Sequence, residues 1–334
     1  FHGVPWLRQH VLDLITAFAS EIHIDMERIE SIARDLDPTD PTGVQDALAS
    51  GVFSPEMTPR QEATLAKLET VLALDEPLLA AVDVVDVCTP TPSHPGIVRA
   101  ALDAGKDVLC EKPLALTGEE ARELVAHAEN VGRRLFPAHV VRYFPQYAAA
   151  KRAVDTGAIG TPAVLRFERT GALPDRDWYA DEERSGGIVM DQMIHDIDQA
   201  LWLAGDAESV HARQRVAASD PTVRTAHVVL THRSGALSHC RGFWGPGGTR
   251  FRYTFDLAGD RGRLRYDSAA DAGITFDDVA SARQASGDGF LPDVSTMEDP
   301  YAAEIAEFAR AVTVGGTTRV EAADGARAVE VSRA

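Results

Sequence analysis

Cysteine is scarce in this chain. Cys88, Cys110 and Cys240 lie far apart and form no CxxC pair. That excludes a disulfide framework and a cysteine-built metal ribbon, and it predicts a reducing, cytoplasmic setting. Apolar runs of about 20 residues are absent, so no helix is expected to span a bilayer. Basic residues are in deficit, 33 Lys and Arg against 51 Asp and Glu, for a formal net charge of −18. Such an excess of carboxylates repels phosphate backbones and anionic lipid, which argues against nucleic-acid or membrane partners. The opening FHGVPWLRQH has no signal-peptide layout and no starting Met, which predicts a beginning inside a longer reading frame. What is present is ordinary for a globular protein. The chain has 334 residues, 45% of them hydrophobic, enough for two domains with sizeable cores.

Three stretches follow one another. Residues 1–76 read as helical. Trp6, His10 and Leu14 share a helical face, Ile22 to Leu36 suggests a second helix, and Thr58-Pro59-Arg60-Gln61 has the residues of a capping box before a leucine-rich helix. Residues 77–145 alternate strand and helix. Val82 to Cys88, Asp107 to Cys110 and Arg134 to Ala138 are short, apolar and β-branched, as buried parallel strands are. Helices are expected between them, from His94 to Ala104 with Gly105 as its cap, and from a Thr117–Glu120 capping box through Val131. Residues 146–334 carry more alternating strands, among them Leu165 to Arg169, Val228 to Leu230 and Phe251 to Leu257, with helices at about 187–203 and 301–312. The expected fold is α/β: an incomplete parallel sheet, then an α+β domain on a mostly antiparallel sheet, behind a helical N-terminal segment.

Two constellations could carry chemistry. Glu111-Lys112-Pro113 directly follows an expected strand, and ligands bind at the carboxyl ends of strands in open α/β sheets. A lysine there can hold a substrate oxygen and stabilise alkoxide character. On the tripeptide alone, a solvated lysine beside a turn proline is the more common reading. The second is GGIVMDQMIHDID, residues 186–198. Asp191 and His195 are four apart on one helical face, while Met190, Ile194, Ile197 and Leu201 form an apolar stripe. The helix can thus bury one side and present a carboxylate with an imidazole, the group suited to taking a hydroxyl proton near neutral pH. A merely salt-bridged polar face, or a metal pair at i,i+4, remains open, although no HExxH occurs and no third ligand is evident.

VDVVDVCTPTPSH, CEKPLALT and GGIVMDQMIHDID occur in this order, and with AHVVRYFPQY, RTAHVVLTHRSGALSH and DPYAAEIAEFARAV they resemble the Gfo/Idh/MocA family over about three-quarters of the chain. The resemblance implies a Rossmann-like domain, NAD or NADP as cofactor, and hydride transfer to or from a secondary alcohol of a sugar or inositol-like polyol. It implies that Lys112 contacts the reacting hydroxyl, Asp191 binds substrate and orients the site, and His195 is the general acid/base. Thr89, Pro90, Thr91, His94 and Glu111 would line the cofactor, with Lys112 beside them. Arg142 would reach the nicotinamide or substrate, and Trp178 and Tyr179 would wall the sugar pocket, although core packing is at least as good a reading of those two rings. Homo-oligomers through the C-terminal sheet are also implied.

The family pattern then breaks. A member should open with a strand, a glycine-rich loop and a helix that cradle the pyrophosphate. Here Gly3, Gly43 and Gly51 stand alone, and the first stretch instead resembles an actinobacterial helical zinc-hydrolase-like family without its metal motif. Weakened or lost cofactor binding is therefore expected. Two other outcomes stay open: a nicotinamide-dependent glycoside hydrolase of the same family, or a catalytically silent fusion.

Overall fold

The computed structural model describes residues 76–174, 177–269, 275–278 and 299–334. The helices expected before residue 76 lie outside the described residues. After α1 (Glu76–Ala81) come β1 (Val84–Val87), α2 (His94–Asp103), β2 (Asp107–Glu111), α3 (Gly118–Val131) and β3 (Leu135–Ala138). The strands pair in parallel in the order β1-β2-β3. Each is a few residues long and closes on a turn, as buried strands fed by crossover helices do. Thr117 caps α3 by accepting from the Glu120 backbone N–H at 3.2 Å, and Gly132 ends that helix at φ 65°.

The chain continues through α4 (Pro145–Asp155) into β4 (Pro162–Ala172), and then α5 (Ile194–Ala204). Next are β5 (Ala207–Val216), β6 (Arg224–His232), β7 (Leu237–Gly245), β8 (Arg252–Gly259), β9 (Gly262–Asp267) and β10 (Thr275–Asp278). They form one sheet in the order β10-β9-β8-β4-β7-β6-β5. Only the β4–β7 pairing is parallel; the other neighbours run antiparallel. The sheet packs Phe167, Val228, Leu230, Trp244, Phe255 and Leu257 inward against α4 and α5. The alternation over residues 251–257 holds for Phe255 and Leu257, whereas Phe251, at the strand entrance, is 63% exposed.

The sequence predicts one uniform α-helix over about 187–203. The structure instead has a wide π turn at Val189–Met193 before α5 begins. Gly186 and Gly187 lead into it at φ 74° and 71°, a left-handed pair that side chains disfavour. A Cβ on Gly186 would lie 2.4 Å from Cβ of Met190, so the turn closes only on glycine. The apolar stripe is buried as expected, but it serves two cores. Met190 and Ile194 pack with Val108, Leu114 and Leu124 beside the parallel sheet, while Ile197 and Leu201 pack under the antiparallel one. The chain's end returns to the first layer: α6 (Pro300–Val314) places Phe308 against Phe136, and α7 (Ala322–Arg333) buries Ala326, Ala328 and Val329 beside Leu114. This helix layer and the shared α5 hold the carboxyl ends of β1–β3 against residues 186–198.

Candidate active site

Lys112 follows β2 and is joined to Pro113 by a cis peptide bond. Its Nζ donates to Asp191 at Oδ1 (2.9 Å) and at the backbone oxygen (2.7 Å). Both side chains are about one-seventh exposed, at 15% and 14%. Burial opposes the ammonium, but Asp191 and Glu111 more than offset it, so the Lys112 pKa lies above the ordinary lysine value. His195, four residues beyond Asp191, is half-buried. Burial pushes its pKa well below the usual histidine range, and the positive fields of Lys112 and Arg169 and the His139 ring push the same way. His195 is therefore a neutral imidazole within electrostatic reach of a charged lysine.

The motif's other carboxylates each hold a cation from a different element. Asp196, fully buried, accepts from Arg169 of β4 at 2.9 and 3.4 Å. Asp198 accepts from Arg142 at 2.6 and 2.9 Å. Arg142 also donates to Asp324 and to the Arg319 carbonyl, both at 2.9 Å, and stacks over Trp202. It is 2% exposed, and four hydrogen bonds of its guanidinium tie β3's end to α5 and α7. Sequence reasoning did not single out Arg169, His139 or Glu304. His139 stands at the carboxyl end of β3, so the rule that selects Lys112 would also have selected it.

The loop after β1 is built differently. Thr91 is buried, Thr89 Oγ1 accepts from Ser93 at 2.7 Å, and Thr89 and Pro90 remain half-exposed. The His94 ring is 1% exposed, with Nδ1 2.8 Å from the Pro113 oxygen and Nε2 2.7 Å from the Thr89 oxygen. It staples this loop to the Lys112 loop rather than pointing to solvent. Glu111 Oε2 accepts from the Lys112 backbone N–H, and burial raises its pKa. Trp178 and Tyr179 stack at 4.0 Å, and Tyr179 acts electrostatically on Lys112. Lys112, Asp191, His195, Glu111 and Tyr179 thus gather at one place, with Thr89 and Pro90 at its rim, while Arg142 and His94 serve as clamps.

The family described as "GFO/IDH/MocA C-terminal domain" matches residues 147–265. The myo-inositol 2-dehydrogenase of Thermotoga maritima is 30% identical over 259 residues, 74% of this chain and 75% of that protein. The chain belongs to the Gfo/Idh/MocA family. The scyllo-inositol 2-dehydrogenase (NAD(+)) of Bacillus subtilis is likewise 30% identical, over 75% of this chain and 73% of its own length. Among solved structures, an oxidoreductase domain protein from Kribbella flavida superposes with a TM-score of 0.69 at 25% identity, covering 80% of this chain and 84% of that one. The Gfo/Idh/MocA proteins are NAD(P)-dependent oxidoreductases, and the chain is an enzyme of that kind by family. A second family, described as "Zincin-like metallopeptidase", matches residues 1–90. No HExxH occurs in the sequence, and no group of three metal-binding side chains is found among the described residues.

The described residues fit one half of a nicotinamide dinucleotide. The Glu111 carboxyl is suited to ribose hydroxyls, and the Thr89–Thr91 loop offers a rim. For the diphosphate, the described cations at the strand ends, Lys112 and Arg142, are both already paired with carboxylates. Burial and the fields of Glu111, Asp86 and Glu307 raise Glu304 to about 9, a mark of an already crowded negative environment.

Proposed function

We propose that this chain catalyses reversible hydride transfer between NAD(P) and a secondary alcohol of a sugar or inositol-like polyol. The observation that supports it best is the Lys112–Asp191 ion pair set beside an unprotonated His195. Relatives named as inositol dehydrogenases support the substrate class. The Lys112 ammonium, held in place by Asp191, faces the substrate oxygen and stabilises negative charge as it develops there. His195 accepts the hydroxyl proton at its ring nitrogen, which its low pKa keeps free. As the O–H bond breaks, the carbon–oxygen double bond forms and the hydride leaves the same carbon. The nicotinamide, when bound, supplies the hydride acceptor. Thr89, Pro90 and Glu111 would contact its ribose, and Tyr179 with Trp178 would wall the substrate.

The test is reduced-cofactor formation by the full chain with myo-inositol, scyllo-inositol and simple hexoses, each with NAD+ and with NADP+. His195→Ala should lower turnover by about 10²–10⁴-fold. Free sugar released from a glycoside with no net reduced cofactor would identify the hydrolase reading instead. Turnover unaffected by His195→Ala would overturn the assignment of the base.

A further inference from the structure

For His195 to take a proton from substrate at Nε2, its ring must carry its one proton on Nδ1, and that N–H needs an acceptor. His195 Nδ1 is buried and has no hydrogen-bond partner among the described residues. A second imidazole in the same condition stands close by. His139, directly after β3, is 1% exposed, and neither of its ring nitrogens has a partner. It is near enough for its ring to act electrostatically on His195. Its Nδ1 also lies 3.8 Å from Oδ2 of Asp198. Asp198 is three residues beyond His195, one turn along the same helix. His139 thus stands between two groups it can act on, the His195 ring and the Asp198 carboxylate.

We infer that His139 is a positioning residue for His195. The Nδ1–H of His195 donates to Nε2 of His139 through one buried water, and the Nδ1–H of His139 closes the remaining gap to Asp198, 3.8 Å away. Three orphaned buried nitrogens, His195 Nδ1 and both of His139, are satisfied at once, which buried polar groups require. The link fixes His195 in the tautomer whose Nε2 lone pair is free. It also delocalises the positive charge that appears on His195 once the substrate proton arrives, as an orienting carboxylate does for a catalytic histidine elsewhere. The groups facing His139 are Asp198 and Asp324, which favour a protonated ring, and Arg142 and Lys112, which oppose it. Lys112 and Arg169 oppose protonation of His195. Burial is the largest influence on both rings and lowers both pKa values, so both are neutral at rest and the link carries hydrogen bonds rather than a stored charge.

This inference rests on His195 being the base, so its test has a readout that does not need turnover. In the full chain with 15N-labelled histidine, two-bond nitrogen–proton correlations report the tautomer of each ring. The parent should hold His195 as Nδ1–H. His139→Phe, which fills the same space without a nitrogen, should move His195 mainly to Nε2–H. His139→Gln places an amide oxygen near the former Nε2 and should restore Nδ1–H. Should the Phe variant fail to fold, His139→Asn keeps the Asp198 side of the link, loses the His195 side, and carries the same expectation. In turnover, His139→Phe should lower kcat about 10- to 100-fold with KM within about twofold, and His139→Gln should recover most of it. A parent His195 already in the Nε2–H form, or a tautomer unmoved in a folded Phe variant, overturns the inference. A tautomer that moves as expected in a chain that reduces no cofactor supports the link and removes the dehydrogenase reading.

Discussion

Single side chains here are tuned by burial against a few fixed charges. Glu304 is the plainest case. It is 6% exposed among Leu109, Phe136, Tyr143, Phe308 and Val320, its Oε1 has no hydrogen-bond partner among the described residues, and the nearby charges of Glu111, Asp86 and Glu307 add to the effect of burial. Its pKa rises from 4.5 to about 9. A carboxyl raised on folding contributes stability below its unfolded pKa and loses it as pH climbs through the folded one. The loss should therefore develop between about pH 4.5 and pH 9. Glu304→Gln removes the titration, so the variant should gain stability over the parent as pH rises, by roughly 1–3 kcal/mol at about pH 8 and little at about pH 5. Urea denaturation at the two pH values measures it, and a gain that does not vary with pH would refute the account.

At the level of elements, α5 and the π turn before it act as a hub. Asp191, Asp196 and Asp198 take Lys112, Arg169 and Arg142 from three separate parts of the chain. Buried pairs of this kind add little net stability, because desolvation nearly cancels their attraction, but breaking one leaves an uncompensated charge. Arg142→Ala should cost about 3–5 kcal/mol, since Asp198 at 1% exposure loses its main counter-ion and Asp324 loses one of two. A denaturation midpoint within error of the parent would show that the two carboxylates find other partners. The wide turn matters to the site as well. It lets Asp191 reach back to Lys112 while the following residues enter a regular helix that aims His195 at the same place.

For the molecule as a whole, the parallel sheet is the decisive feature. Among the described residues β1 pairs on one side only, with β2, and no phosphate cradle precedes it. Cofactor titration of the full chain by calorimetry should give binding far weaker than micromolar. A micromolar constant, about −8 kcal/mol, would mean that residues before Val82 supply a phosphate site. Placing a glycine-rich strand–turn–helix ahead of Val82 should then be unnecessary for binding; if titration is flat, the same graft should restore it. The antiparallel sheet leads to a separate expectation. Its outer face carries Arg166, Glu168, His239, Arg241, Asp256 and Arg263, with ion pairs among them such as Arg241–Glu168 and Arg263–Asp256. Self-association through this sheet should appear as a defined particle mass by light scattering, and a monodisperse monomer at high concentration would exclude it.

The sequence by itself determined the local structure and which residues are candidates for the reaction. Periodicity and caps located β1, β2, β3, α2 and α3, because short β-branched runs and capping residues fix their own backbone. Ordered motifs pointed to Lys112, Asp191 and His195, because strand ends and i,i+4 spacing constrain where side chains point. Strand β5 was not legible: most of AESVHARQRV is exposed at the sheet's edge, so no alternation marks it. Nor could the sequence separate ligands from clamps. Arg142 and His94 have the residue types of cofactor contacts, yet their partners, Asp198, Asp324 and three backbone carbonyls, come from positions that folding brings together. The tertiary structure decided those roles, because a polar side chain's function depends on which groups satisfy it once water is gone.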